Sequence, residues 1–214
     1  MADPEHLTKL KQGVKPWNTW REENPNIIPN LRRADLSKSN LKGAFLASAD
    51  LEQASLERVD LELAILWKAN LSKANLWRAM LRGADFLEAK LRGTEFIRAN
   101  LTRAGFLGAD LEGASLAGSN LEGADFWKAR LVGANLYKAN LIRTMFCRAN
   151  LEKANFAEAK VEGAVLWEAR LLGVLNLSLE QLASVKTIQG AELDASLRTK
   201  VQRSCPNILE KLQK

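Results

Sequence analysis

Residues 84–108 read ADFLE AKLRG TEFIR ANLTR AGFLG, five units of five residues with one apolar residue at the centre of each unit. The same spacing runs without a break from Leu31 to Leu171, where every fifth residue is Leu, Phe or Val. The residue two places before each centre is nearly always Ala, Ser, Thr or Val. A period of five matches neither the turn of a helix, about 3.6 residues, nor the alternation of a flat strand. The repeat therefore requires a different architecture.

A period of five is accounted for if each five-residue unit forms one side of a square. Four sides then close a coil of twenty residues, and each centre lies above its counterpart in the next coil. Phe occupies a centre only in units whose centre number ends in six, so opposite sides of the square are alike. These centres are Phe86, Phe96, Phe106, Phe126, Phe146 and Phe156. Coils stacked at ~4.8 Å would bring Phe86, Phe106, Phe126 and Phe146 into one ladder of rings.

Many units share the pattern of a known repeat. Residues 34–38, 69–73 and 109–113 read ADLSK, ANLSK and ADLEG, which resembles the A(D/N)LXX motif of the pentapeptide-repeat family. The resemblance covers about two thirds of the chain. It implies an all-β fold, a right-handed quadrilateral β-helix of about seven coils, which is a solenoid that grows by stacking. Departures such as Val59 for Ala, or Phe45 and Met80 in place of Asp or Asn, are local.

We expect three segments: an N-terminal helical cap over residues 1–28, the repeat over 29–175 and a C-terminal helical module over 176–214. Short α-helical caps are expected at both ends because a stack of parallel strands leaves unpaired backbone groups there. The first helix is predicted over residues 5–13 and ends at Gly13. A second helix holds Trp17 and Trp20 and ends at Asn24-Pro25, with both indoles suited to lie on the first coil.

The repeat breaks after Leu171. Ser178 followed three residues later by Gln181 is a capping-box signature and predicts a helix from about 179 to 185. Gly190 marks a turn, and Asp194 is the predicted N-cap of a last helix that runs through Val201 and ends before Pro206. This module resembles the tails of some bacterial members of the family.

The composition is that of a folded protein with a mild positive charge. Lys and Arg total 31 against 25 Asp and Glu, a net charge of +6, and 47% of the residues are hydrophobic. This balance permits weak affinity for nucleic acids or acidic membranes without requiring it. The polar start and the lack of a long apolar run predict a cytoplasmic protein with no membrane span. Cys147 and Cys205 have no metal-like spacing and are expected to be buried or idle thiols.

Residues suited to catalysis are scarce. The single histidine, His6, lies in a terminus that we expect to be frayed, which argues against a Ser/His or Cys/His pair. Glycines such as Gly83 and Gly113 occupy corners, where they permit turns, and form no phosphate-binding loop. The Asp and Asn that precede the centres are expected to bond backbone amides at the corners rather than to bind calcium. We therefore expect no enzyme activity, no metal, no cofactor and no small-molecule substrate.

One side of the square is unusually apolar. The flanking residues of its units include Phe45, Ile65, Trp67, Leu87, Leu107, Trp127, Met145, Cys147, Val165 and Trp167. If these side chains reach solvent, they form a stripe larger than a soluble monomer usually exposes, and such stripes mark protein interfaces. The alternative is a scatter of surface hydrophobes with no partner. The candidate interface residues are Trp67, Leu87, Leu107, Trp127 and Trp167.

The opposite side carries a row of cations. Its members are Lys38, Arg58, Arg78, Arg98 and Lys138, and Gly118 interrupts it. A row of this kind could follow a phosphate backbone. The acidic neighbours Asp35, Glu57 and Glu95 favour instead a solvated face of mixed charge.

These features favour a rigid, non-enzymatic interaction or scaffold module whose apolar stripe engages another protein or a second copy of itself. Two alternatives remain. Some pentapeptide-repeat proteins resemble a DNA duplex in size and charge and bind topoisomerases, but this chain is net basic and has no extended loop in its repeat. The other alternative is weak nucleic-acid binding through the cation row.

Overall fold

The computed structural model describes residues 1–204, and its centre is a four-sided β-helix. Parallel bridges join residues twenty apart, from Asn30 with Asp50 at one end to Asn155 with Leu175 at the other. Each five-residue side has one bridging residue and a two-residue turn. The bridge spacing equals the coil length predicted from the period of five, and the centres of the sides fill the buried interior.

Each corner is built from two local features. The Asp or Asn before a centre accepts a hydrogen bond from the backbone N–H two residues later, as in Asp85 with Leu87 at 3.0 Å and Asn75 with Trp77 at 2.9 Å. The second residue after each centre adopts a left-handed conformation, with φ of 60° at Lys38. A left-handed non-glycine residue costs roughly 1–2 kcal/mol. Backbone hydrogen bonds between coils offset that cost, since the N–H of Lys38 lies 2.8 Å from the carbonyl oxygen of Glu57. The predicted corner role of Asp and Asn is confirmed.

The core contains a ladder of aromatic rings. The ring centroids of Phe86 and Phe106 are 4.9 Å apart, those of Phe106 and Phe126 4.5 Å, and those of Phe126 and Phe146 5.1 Å. Their planes are nearly parallel, and Phe96 approaches from the opposite side, edge-on to Phe106 at 6.2 Å. The ladder predicted from the sequence is confirmed.

Two helices precede the first coil: α1 over Pro4–Lys11 and α2 over Val14–Glu23. Gly13, predicted to end the first helix, has φ of 114° and is the N-cap of α2. Trp17 donates from Nε1 to the carbonyl oxygen of Phe45 at 2.9 Å, and Arg21 donates from Nη2 to that of Ala47 at 3.2 Å. These bonds hold α2 against the first coil.

The expectation that His6 lies in a frayed terminus is wrong. The ring centroids of His6 and Trp20 are 5.3 Å apart. Its Nδ1 accepts a hydrogen bond from the N–H of Asn30 at 3.1 Å. The neighbouring Asp3 N–H donates to the Asn30 carbonyl oxygen at 2.9 Å, so both backbone groups of Asn30 bond the terminal segment. These contacts order the segment.

The last coil is followed by α3 over Leu179–Ser184 and α4 over Ala195–Ser204. The strands β1, Arg170–Leu171, and β2, Glu192–Leu193, pair in parallel. Ser178 and Gln181 form the predicted capping box on α3. Asp194 accepts from the N–H of Leu197 at 2.8 Å with Oδ1, and from the N–H of Gly173 at 3.0 Å with Oδ2.

The last helix agrees with its prediction over the described residues. Helix α4 extends through Val201 to Ser204. The predictions for Cys205 and for the stop before Pro206 concern residues outside the described part of the chain.

Candidate protein-binding surface

The five candidate interface residues lie on one side of the β-helix in a single column with Cys147. The backbone carbonyls of Trp67, Leu87, Leu107, Trp127, Cys147 and Trp167 all accept hydrogen bonds from the coil before. Trp67 is 43% exposed, Leu107 44% and Trp127 38%, whereas Leu87 and Trp167 are half-buried. We call the apolar side chains at the outward positions of this side the apolar stripe: Phe45, Ala47, Ile65, Trp67, Leu87, Leu107, Trp127, Met145, Cys147, Val165 and Trp167.

Cys147 belongs to this column but not to its exposed surface. The rings of Trp127 and Trp167 approach to 6.3 Å between centroids, although their coils are two apart and stacked coils alone would give ~9.6 Å. The two indoles lean towards each other over Cys147, which is 8% exposed. Burial raises the pKa of the Cys147 thiol, since water no longer stabilises a thiolate. The expectation that Cys147 is a buried thiol is confirmed, and Cys147 therefore adds nothing to the exposed part of the stripe.

A notch interrupts the stripe at its middle. Gly105 stands where the repeat usually has Asp or Asn, and the bridging residues on either side of it are Asp85 and Asp125. Together with Arg103, Leu87 and Leu107 they line a cavity of about 360 Å³. Sequence reasoning missed this notch. The available signal was a glycine at a position that does not need one for its backbone conformation.

A second cavity, of about 280 Å³, lies at the N-terminal end of the stripe. It is lined by Arg21, Glu22, Pro25, Phe45, Ala47, Ile65 and Trp67. Ala47 leaves space where the next coil carries Trp67. Burial lowers the pKa of Arg21, whose guanidinium bonds backbone carbonyls at the edge of this cavity.

The cation row is aligned as predicted but is partly covered. The guanidinium carbons of Arg58 and Arg78 lie 5.1 and 4.3 Å from the centroid of the Trp77 ring, which they cover from two directions. Lys138 pairs with Glu158 at 3.3 Å, and Arg58 lies 3.8 Å from Glu57. Neighbouring acids thus reduce the field of the row.

The side that follows the apolar stripe carries a network of ion pairs between coils. Arg32 bonds Asp50 at 3.1 Å and Glu52 at 2.5 Å. Arg92 and Arg130 both pair with Asp110 and Glu112. The acids and bases alternate here, so this side has no strong field of one sign.

The described residues include no cluster suited to metal binding. Across residues 1–204 no three side chains of His, Cys, Asp or Glu come close enough together to hold an ion. Among the helices of this same range, none has the length and apolar character needed to cross a membrane.

Comparison with solved structures finds several repeat proteins. HetL from the cyanobacterium Nostoc sp. strain PCC 7120, described as involved in regulating heterocyst differentiation, is 28% identical, with 90% of this chain and 94% of HetL covered and a TM-score of 0.29. Trypsin-treated QnrB1, a plasmid-mediated fluoroquinolone resistance protein, is 17% identical, with coverage of 86% and 93% and a TM-score of 0.42. Rfr23 from the cyanobacterium Cyanothece 51142 is 22% identical, with coverage of 83% and 97% and a TM-score of 0.28.

Sequence families give the decisive comparison. No curated protein matches the chain. The family model for pentapeptide repeats matches in eight copies, over residues 30–67, 69–106, 88–118, 114–152 and 129–168. These matches span well over half of the chain and coincide with the stacked coils. The chain therefore belongs to the pentapeptide-repeat family, whose members fold as right-handed β-helices.

Proposed function

We propose that this protein is a rigid, non-enzymatic interaction module whose apolar stripe binds a protein surface. The exposure of Trp67, Leu107 and Trp127 in one column carries the proposal. The stripe extends over six coil spacings from Phe45 to Val165, or roughly 29 Å at ~4.8 Å per coil. Soluble monomers seldom leave this much apolar surface on one side without a partner, even where a notch divides it.

The stripe lies over the stacked aromatic rings of the core. The rings of Phe86, Phe106, Phe126 and Phe146 are the centres of the same side and stack directly beneath it. The backbone of each coil is bonded to its neighbours at every side. A surface held in this way loses little conformational freedom on binding, which favours affinity.

The cation row supports nucleic-acid binding less well. Trp77, the aromatic side chain best placed to stack on a base, is covered by Arg58 and Arg78. The net charge of +6 also departs from the acidic surface that mimicry of DNA needs. The charged sides have partners within the chain, whereas within residues 1–204 the exposed side chains of the apolar stripe have none that would cover them.

Site-specific photocrosslinking tests the proposal. We would place a photoreactive phenylalanine analogue at Leu107 and, as a matched control, at Ala117, which holds the same position in a unit on the opposite side. Both proteins would be irradiated in extract of the source cells. We expect protein adducts from position 107 only, and their loss when Trp67 and Trp127 are also replaced by Ser.

That double substitution should leave the protein folded, because neither indole lies in the core, although loss of the Trp127 contact with Trp167 should lower the melting temperature slightly. Adducts of equal yield from positions 107 and 117 would contradict the proposal, as would the absence of any adduct from position 107.

A further inference from the structure

We infer that the partner of the apolar stripe is the stripe of a second copy, packed antiparallel about a twofold axis that passes beside Leu107 and Gly105. The inference rests on the proposed function and names its partner. It is carried by the order of side-chain sizes along the stripe, by the two cavities and by the charges at the rim.

The sizes alternate in a way that suits antiparallel packing. The residues that directly follow the centres on this side form one column. In chain order they are Ala47, Trp67, Leu87, Leu107, Trp127, Cys147 and Trp167. With the axis at Leu107, residues whose numbers add to 214 face each other. Trp67 then faces Cys147, over which the indoles of Trp127 and Trp167 lean, so Trp67 would pack on those two rings. Trp127 faces Leu87, and Trp167 faces Ala47, so these two indoles each meet a smaller side chain.

Neighbouring registers lack this fit. A shift of the second copy by one coil places Trp67 against Trp167, and a shift in the other direction places Trp67 against Trp127. Either shift brings two indoles face to face, and the second also places Ala47 opposite Cys147. Good packing at an interface core requires the complementary arrangement.

The cavities fall where this register needs them. Trp167 of the second copy would enter the 280 Å³ cavity beside Ala47, which Phe45, Ile65 and Trp67 line with apolar surface. Because the packing is symmetric, the reciprocal contact forms at the other end. The 360 Å³ notch at Gly105 lies on the twofold axis, so the notches of the two copies face each other.

The residues that directly precede the centres form a second column, and their packing is consistent with the same axis. In this column, residues whose numbers add to 210 face each other, so Phe45 meets Val165 and Ile65 meets Met145. Asp85 faces Asp125 across the notch. The Arg103 side chains of both copies also line the notch, so two guanidinium groups face the four carboxylates of Asp85 and Asp125.

The charges at the rim also match. Lys128 of one copy lies opposite Glu88 of the other in this register, and Glu88 would then lie between Lys128 of the other copy and Lys68 of its own chain. The like-charged pair Lys68 and Arg148 is already balanced within each chain, because Lys68 pairs with Glu88 at 3.5 Å and Arg148 with Glu168 at 2.6 Å.

A parallel arrangement is less favourable. Each coil would then face the same coil of the second copy, with the two columns exchanged. Leu87 of one copy would meet Asp85 of the other, and Trp127 would meet Asp125. Burying carboxylates against apolar side chains without a partner is costly. The antiparallel arrangement keeps the carboxylates together with Arg103 in the notch.

Charge complementation at the axis tests the inference. We would measure the molar mass of the native protein, of Leu107→Glu and of Leu107→Lys by light scattering over a concentration series. We expect a native dimer, and for each variant a dissociation constant raised by at least about 100-fold, since residue 107 faces its own copy and like charges then meet. An equimolar mixture of the two variants should restore the dimer.

Position 87 provides the matched control. Leu87→Glu and Leu87→Lys should each weaken the dimer, but their mixture should not restore it, because residue 87 faces Trp127. Melting temperatures of all four variants check that the fold is intact.

Three results would overturn the inference: a native protein that is monomeric throughout, variants at position 107 that still dimerise, or a mixture that fails to restore the dimer. A native monomer that nevertheless gives photoadducts with another protein from position 107 would refute the second copy as partner and leave the proposed function standing. A monomer without adducts would refute both.

Discussion

At the scale of single residues, the position of a side chain relative to the centre of its unit decides its role. Centres stack as rings or aliphatic groups in the core, and the residues before them bond the corner amides. Phe106 is the most constrained of the centres, since parallel rings lie 4.9 and 4.5 Å on either side of it and Phe96 presents its edge. Cys147 is an outward position that its neighbours have turned into a buried one.

Replacement of Phe106 by Ala should lower the free energy of unfolding by about 3–5 kcal/mol, because the interior cannot collapse around the missing ring. Phe106→Leu is the matched control and should cost much less, since it keeps most of the volume and loses only the ring contacts. Urea unfolding measures both. Equal losses for the two variants would show that stacking geometry, not cavity formation, dominates.

Alkylation of Cys147 by iodoacetamide should be slow at pH 8, because burial raises its pKa and the indoles block access. Replacing Trp127 with Ala should raise the rate at least about tenfold, whereas Trp77→Ala, on the opposite side, should not change it. Mass spectrometry follows the reaction in a Cys205→Ser background. A rate indifferent to Trp127 would mean that the thiol is shielded by the coil itself.

At the scale of elements, the helices are attached to the β-helix by apolar side chains that join its core, such as Trp17, Leu182 and Val201, and by a few polar contacts. Helix α4 begins at Asp194, whose carboxylate joins the helix start to the turn at Gly173. The pKa of Asp194 is lowered, chiefly by the hydrogen bond from the Leu197 N–H and further by that from Gly173. The ionised carboxylate is therefore the form that the folded protein stabilises.

Because the pKa of Asp194 is lowered in the folded protein, we expect α4 to become less stable at acidic pH. The stabilising contribution of Asp194 is present above the pKa of an unfolded Asp, about 3.9, and is lost as the pH falls through the lower pKa of the folded state. Hydrogen-exchange protection factors of α4, corrected for intrinsic exchange rates, should decline as the pH falls from about 5 to about 2. Asp194→Asn should remove most of this decline, while protection of the coils around Phe106 should be alike in both proteins.

At the scale of the whole molecule, the β-helix is a one-dimensional stack whose ends differ from its middle. Every inner coil bonds a neighbour on each side, whereas the first coil depends on α1 and α2 for its remaining partners. Asp3, Trp17, Asn18 and Arg21 donate hydrogen bonds to carbonyls of that coil. Without them the edge would present free backbone groups to other chains.

Deletion of residues 1–28 should therefore cause association beyond a dimer. The deletion would be made in a Leu107→Glu background, which removes pairing through the stripe. A deletion of residues 1–2 alone keeps Asp3 and all the donors and should not aggregate. Light scattering and centrifugation measure the outcome. A soluble, monomeric deletion of residues 1–28 would show that the edge is protected without the helices.

Much of the architecture could be predicted because the repeat makes local rules apply everywhere. A residue and its neighbour twenty positions later have the same surroundings, so the period of five gave the coil length, the distribution of Phe gave the ring ladder, and Asp or Asn gave the corners. Ser178 with Gln181 marked the start of α3 through contacts only three residues apart. In each case the deciding interactions recur or are close in sequence.

The tertiary structure decided what depends on side chains from different coils meeting at the surface. The lean of Trp127 and Trp167 over Cys147, the contact of His6 with Asn30, and the cavities at Gly105 and Ala47 do not follow from any period. The sequence by itself determined a four-sided coil with one apolar side, because backbone pairing and burial repeat with the motif. Which parts of that side are raised, hollow or covered was decided by individual rotamers and sizes across neighbouring coils, which no repeating pattern encodes.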